Sequence, residues 1–398
     1  DGTSRIINHG HGGDPHSPAR SFRLVAEGAH IMNASPQNGT RISRLEGFGP
    51  YWLRLVNGPQ TLGRGLLFWV GFFITVGIAV LYPVFVDGWT VGNTAYFFCW
   101  VFMALGLSLI WGYTGSLSFG QTAFFGLAGY TYGVVTLNFG AAYGISLVGL
   151  ALGVGLSCVS AALLGYILYY GRISGVFFGI VTLSTTLVFA TFMAQTAGSQ
   201  WAIGDARLGG YNGMTGMPPL TIPWFGNDFA LYSGISLYYL LLAMVVLCYI
   251  ALRILVNSRF GNVLVAIREN PHRTEMLGYD IRRYQLIVFV IGSGLAGLSG
   301  VLYTAWGQYI SPSSMDLAAA ALPIIWVAVG GRKDLTATLI GTLVVLGVFQ
   351  NLTIFGSYYA FVIMGVLLVV VVVFLPEGLI PGLVKVASRI RRRKGGIS

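Results

Sequence analysis

Ten apolar runs divide the chain. They cover residues 66–86, 93–111, 119–137, 145–168, 175–196, 235–256, 284–306, a short run at 319–330, then 337–351 and 359–375. Most approach the ~20 residues a helix needs to cross a hydrocarbon core. Leu66–Phe85 and Phe361–Leu375 are continuous apolar blocks, without the period-two alternation of an outer-membrane strand. The pattern predicts an all-α polytopic membrane protein of about ten transmembrane helices, short or broken ones included. Between the runs lie polar stretches. Residues 1–65 are rich in Gly, Ser, Asn and Arg, a long loop at 197–234 carries Gly209-Gly210, Asn212-Gly213 and Pro218-Pro219, and a charged loop spans 257–283. This predicts three regions: an N-terminal polar extension with an interfacial segment (1–65), a transmembrane domain (66–384) and a basic tail (385–398).

Composition sharpens the picture. Of 398 residues, 55% are hydrophobic and 9% charged, against about 25% charged in soluble domains. From Trp69 to Gly171 the sole charged residue is Asp87. A soluble fold could not hide so much apolar surface, which excludes an ordinary cytosolic enzyme as well as a disordered or collagen-like chain. Cys99, Cys158 and Cys248 each sit alone in an apolar run, as small packing residues do. His9, His11 and His16 have no Cys or carboxylate spaced to complete a metal site. Residues 1–50 hold no apolar core of a signal peptide. The opening residue is Asp1, not Met, which leaves open where the native chain starts.

Charge placement sets an orientation. With the N-terminus inside and the spans alternating, 22 of the 23 Lys and Arg fall on the inner side and Arg207 alone falls outside. By the positive-inside rule, both termini and the loop at 257–283 are expected in the cytoplasm.

Two runs are interrupted. Gly112–Gly120 contains three glycines and Ile310–Pro323 two prolines. Irregular backbone survives at membrane depth only where protein or a water-filled cavity covers it, and paired breaks point to a transport pathway. Their parity permits an inverted repeat of spans two to five and seven to ten. Gly292, Ala296 and Gly300 recur every four residues, a spacing that lets helix backbones approach closely within the bundle.

Chemistry is sparse. No nucleophile–base pair, HExxH or GxxxxGK[ST] occurs, so no enzymatic role, bound cofactor, metal site or phosphate-cradling loop is expected in this chain. The apolar cores lack the ionisable groups of proton-driven carriers. Neutral polar residues remain as candidates for lining a solute path: Ser118, Gln121, Thr122, Thr185, Gln308 and Ser311. Each is equally suited to interhelical hydrogen bonding. The energy source is therefore external, or transport is passive. The inner loop offers a place to receive force. Apolar Val263, Leu264, Ile267, Met276 and Leu277 interleave with charged Arg268, Glu269, Arg273 and Glu275, as in a short amphipathic helix that docks into a partner groove or lies on lipid headgroups.

Four blocks carry a family resemblance: WGYTGSLSFGQTAFFGLAGY (111–130), RFGNVLVAIRENPHRTEMLGYDI (259–281), GLSGVLYTAWGQYISPSSM (297–315), and IWVAVGGRKDLT (325–336) together with FLPEGLIPGLV (374–384). The chain resembles the M-type permease subunits of branched-chain amino acid and urea-amide ABC importers. The resemblance implies a type II importer-like permease in a bacterial-type inner membrane. It also implies a homologous second permease, two cytoplasmic ATPases that bind the ATP and Mg, and an extracytoplasmic solute-binding protein. By the same pattern Val263–Gly278 corresponds to the coupling helix, with Arg268, Glu269, Asn270, Arg273 and Glu275 through Gly278 toward the ATPase. The expected solute is a small polar nitrogen compound: urea or a short amide, or a branched-chain or other amino acid. The blocks at 259–268 and 325–332 lean toward the urea-amide branch. Gln121, where that branch often has His, and the run after Asp316, which lacks an expected carboxylate, depart from it. From another class, an autonomous channel or secondary carrier for a neutral polar solute is the alternative.

Overall fold

A computed structural model describes residues 56–140, 143–224, 227–232, 234–354, 356–375 and 378–382. The three N-terminal histidines, most of the predicted polar extension and the basic tail lie outside these residues. Among the described residues, ten helices fall on the ten apolar runs: α1 (Gly65–Phe85), α2 (Gly88–Leu107), α3 (Gln121–Phe139), α4 (Ile145–Tyr170), α5 (Val176–Ala194), α6 (Ile235–Asn257), α9 (Ile281–Gly307), α10 (Leu317–Gly330), α11 (Leu335–Thr353) and α12 (Ser357–Phe374). Two short helices, α7 (Arg259–Glu269) and α8 (Pro271–Met276), fill the charged loop.

Seven of these helices are long and apolar enough to cross a membrane: α1, α2 with its continuation to Gly112, α4, α5, α6, α9 and α11. Two of the three exceptions, α3 and α10, have physical reasons. Although α3 has 19 residues, it carries Gln121, Asn138 and a run of Thr, Tyr and Gly; it packs against α4, α5 and α9 and faces little lipid. The 14-residue α10 is wedged between α11 and α12.

Local sequence sets the helix starts. Asp87, Asp280, Asp316 and Asp334 are the N-caps of α2, α9, α10 and α11, each accepting a hydrogen bond from the backbone N–H three residues on. Asn270 caps α8, with Pro271 in its first turn. That pair is why the inner loop forms two helices where a single amphipathic one was expected: Asn270 turns the chain into extended backbone and Pro271 is pre-set to restart it. The breaks also shift. The π-turn Ser108–Gly112 extends α2, the helix runs on through Thr114, and its break follows at 115–120. The second break spans 308–316, and Pro323 lies inside α10.

The centre of the bundle is α2, α3, α4 and α9. Small residues permit it. A Cβ on Gly300 would strike the Phe125 carbonyl of α3, and one on Gly292 would meet the Gly106 carbonyl and Ile110 of α2. Ala296, between them, is fully buried. An aromatic cluster fills the middle, with Trp100 stacked on Phe125 at 4.9 Å and Trp326 5.5 Å away. The long loop at 197–234 is not shapeless. It forms hairpins β1 (Ala202–Ile203) with β2 (Ala206–Arg207) and β4 (Leu220–Trp224) with β5 (Asn227–Leu231), while β3 (Met214–Thr215) pairs with β6 (Tyr309–Ile310) of the second break.

Candidate coupling face and solute path

The inner loop splits the predicted coupling residues into two sets. Val263, Leu264 and Ile267 are buried against the bundle, with α6 and α9 as helix neighbours. They fasten α7 to this chain. Arg268 is also turned inward: its Nη1 donates to the Gly112 carbonyl at 2.6 Å, and Nη2 pairs with Glu269 at 2.8 Å. The Arg268 guanidinium beside it holds the exposed Glu269 carboxyl below the usual range. The second set faces outward. Met276 is 88% exposed and Leu277 72%, beside exposed Glu269, Asn270, Arg273, Glu275 and Gly278. Two large apolar side chains standing free amid charges form a patch that a partner can cover.

The candidate path residues separate as well. Ser118, Gln121 and Thr122 come together where the first break enters α3. Ser118 Oγ accepts from Gly120 N–H at 3.2 Å, and α5 cradles the break: Thr182 Oγ1 accepts from Phe119 N–H at 3.1 Å and Thr186 donates to the Phe119 carbonyl at 3.2 Å. Gln121 is 2% exposed, and among the described residues both its amide oxygen and nitrogen lack a partner, as does the Thr122 hydroxyl. Such orphaned groups cost about 1–3 kcal/mol each. Thr185, by contrast, is half-buried and donates to Val181 of its own helix. At the other break, Gln308 is exposed and ends α9 in the left-handed region (φ 53°), and Ser311 Oγ bonds Ser313 Oγ at 2.8 Å. The second break meets α3 as well: Met315 fits against Gly126 and Ile310 against Gly129.

Sequence reasoning missed one group. Arg253, counted beforehand only as one of the inner-side Lys and Arg, lies inside α6 and is fully buried. Its Nε donates to the Val56 carbonyl at 2.6 Å and Nη1 to Tyr249 Oη at 2.8 Å, while Nη2 reaches the Gly63 carbonyl. The Phe68 ring lies 4.5 Å from the guanidinium. A single arginine within an otherwise apolar helix was the available signal, because such a charge must find partners.

Against known proteins, the family described as branched-chain amino acid transport system / permease component matches residues 90–372. The high-affinity branched-chain amino acid transport system permease protein LivM of Escherichia coli (strain K12) is 25% identical over 358 residues, covering 83% of this chain and 80% of that protein. LivM of Salmonella typhimurium (strain LT2) is 25% identical over 327 residues, covering 76% and 73%. A probable LivM of Methanocaldococcus jannaschii is 26% identical over 188 residues, 44% of this chain and 53% of that protein. No solved structure matches the chain.

Proposed function

The chain belongs to the family of branched-chain amino acid transport system permease components, a transport component and not an enzyme, and from that premise we propose that it conducts a small neutral or zwitterionic amino acid across the inner membrane under the force of partner ATPases. Those subunits bind ATP and Mg, a homologous permease completes the pathway, and an extracytoplasmic binding protein delivers the solute. The observation that carries this reading is the two-sided inner loop. Its apolar side is locked to the bundle through Val263, Leu264 and Ile267, and its free side presents Met276 and Leu277 among charges. A loop fixed on one face and unpartnered on the other transmits a push from whatever covers the free face. Arg268, bonded to the end of α2, carries that push toward the first break.

Ser118, Gln121 and Thr122 are the solute-facing groups in this reading. An amide with neither atom satisfied is retained where another conformation gives it a polar partner, here the solute or its water. The test is reconstitution. With both permeases, the ATPases and the binding protein in liposomes, ATP-dependent uptake of L-leucine, L-valine or L-alanine is expected. The chain alone should conduct none of them. Flux through the lone chain would assign an autonomous channel or carrier instead.

A further inference from the structure

Residues 57–64 run beneath the bundle without regular structure; side chains of α6, α11 and the end of α2 hold their backbone, and α7 holds the Gln60 side chain. Gln60 is the crossing point. Its N–H donates to Asn257 Oδ1 of α6 at 3.1 Å, its carbonyl accepts from Tyr113 Oη at the end of α2 at 3.1 Å, and its Nε2 donates to Asn262 Oδ1 of α7 at 3.2 Å. Two residues on, Leu62 N–H donates to Asp334, the N-cap of α11, and the Leu62 carbonyl accepts from Thr336 at 3.4 Å. The Gly63 carbonyl is held by Arg253. Burial pushes the Asp334 carboxyl up, against the pull of these donors and of Arg253.

We propose that residues 57–64 are a strap that carries displacement of α7 to α1 and α11, with Gln60 as its positioning residue. This rests on the reading that the ATPases bind at α7–α8. The principal helix neighbours of α7 are α6, α8 and α9. The strap adds a hydrogen-bonded route from Asn262 through Gln60 to the α11 cap and to the first residue of α1, which follows Arg64 in the chain.

The helix it steers is lightly packed, with Phe72 stacked on Tyr249 of α6 at 5.6 Å. Along its length α1 is lipid-exposed, separated from α2, α6 and α11 by an apolar groove of about 630 Å³. Its far end is pinned by Tyr238 and Tyr239 hydroxyls, which donate to the Ala79 and Val80 carbonyls at 2.7 and 3.0 Å. Fastened at two ends with a soft groove between, α1 swings as a lever when the strap shifts.

The test uses the full transporter with its ATPases, and no solute. Gly71 of α1 and Ile340 of α11 both line the groove, and a side chain at Gly71 meets open space. Spin labels on Gly71→Cys and Ile340→Cys report the groove width with and without ATP. A nucleotide-dependent change in separation is expected in the otherwise native chain. It should vanish in Gln60→Ala and in Asn262→Ala, with no further loss in the double variant. Gln60→Glu, which still bonds Asn262 once that amide turns round, should recover it. The same change in Gln60→Ala as in the native chain, or none in a native chain whose ATPases stay bound, would overturn the strap. Should the ATPases bind unaltered after Met276→Asp with Leu277→Asp, the docking reading itself falls, and the strap with it.

Discussion

Gln121 shows how one side chain can be costly and still be kept. Its amide is buried and unpartnered at the start of α3, beside an equally unpartnered Thr122 hydroxyl. Replacing a buried orphan with an apolar side chain of similar size is neutral or stabilising by about 1 kcal/mol. Gln121→Leu is therefore expected to leave the melting temperature unchanged or raised, while uptake of L-leucine by the assembled transporter falls roughly tenfold, the equivalent of one hydrogen bond to the moving solute. Melting by a thiol-reactive dye and uptake by radiolabel read the two effects separately. Glycines give the opposite contrast. On α9, Gly300→Ala drives a methyl into the Phe125 carbonyl, costing about 1–3 kcal/mol of overpacking and lowering the melting temperature. On α4, Gly155→Ala meets open space and should stabilise by up to ~1 kcal/mol, since alanine is the better helix former.

At the scale of elements, α7 and α8 divide holding from docking. Val263, Leu264 and Ile267 hold, so Ile267→Ala is expected to cost about 2–5 kcal/mol as a core truncation and to loosen the loop before any partner arrives. In the proposed reading Met276 and Leu277 dock. Burying each contributes about 1.5–3 kcal/mol, so Met276→Asp with Leu277→Asp should weaken ATPase capture about 100-fold or more, with the permease's own melting unchanged. Pull-down against the ATPase subunits measures the first and a thermal scan the second. This division was only half legible beforehand. The interleaved apolar and charged positions announced an amphipathic helix, yet periodicity cannot say which apolar residues face the chain's own bundle and which face outward. That is decided by Asn270-Pro271, which restarts the helix on a new axis. Helix existence was legible throughout because ten apolar runs leave few alternatives in lipid. The strap was not, because it is held by tertiary hydrogen bonds between residues some 50 to 270 positions apart and carries no pattern of its own.

For the whole molecule, the bundle sorts its ends by charge. At one end the cationic loops touch: Arg268 bonds the Gly112 carbonyl, Arg332 lies 5.1 Å from the Trp111 ring, Arg282 lies 5.9 Å from Tyr170, and Asp334 holds Leu62. At the other end the outer-loop strands gather with the far ends of α3, α4 and α9: Asn138 bonds the Ile203 carbonyl, Thr221 bonds Ser146 at 2.9 Å, and β3 pairs with β6. Arg207 is in this second group. The alternation that the Lys and Arg count required is thus the alternation the helices make. Because positive loops are retained on the cytoplasmic side, the strap, the α7–α8 face and Arg332 should all be cytoplasmic. A membrane-impermeant thiol reagent decides it. Tyr211→Cys, exposed in the outer loop, should label in right-side-out vesicles, whereas Met276→Cys should label only after permeabilisation. The reverse result would put the free face of α8 out of reach of any ATP-driven partner, and the force that moves the bundle would have to enter from the other side.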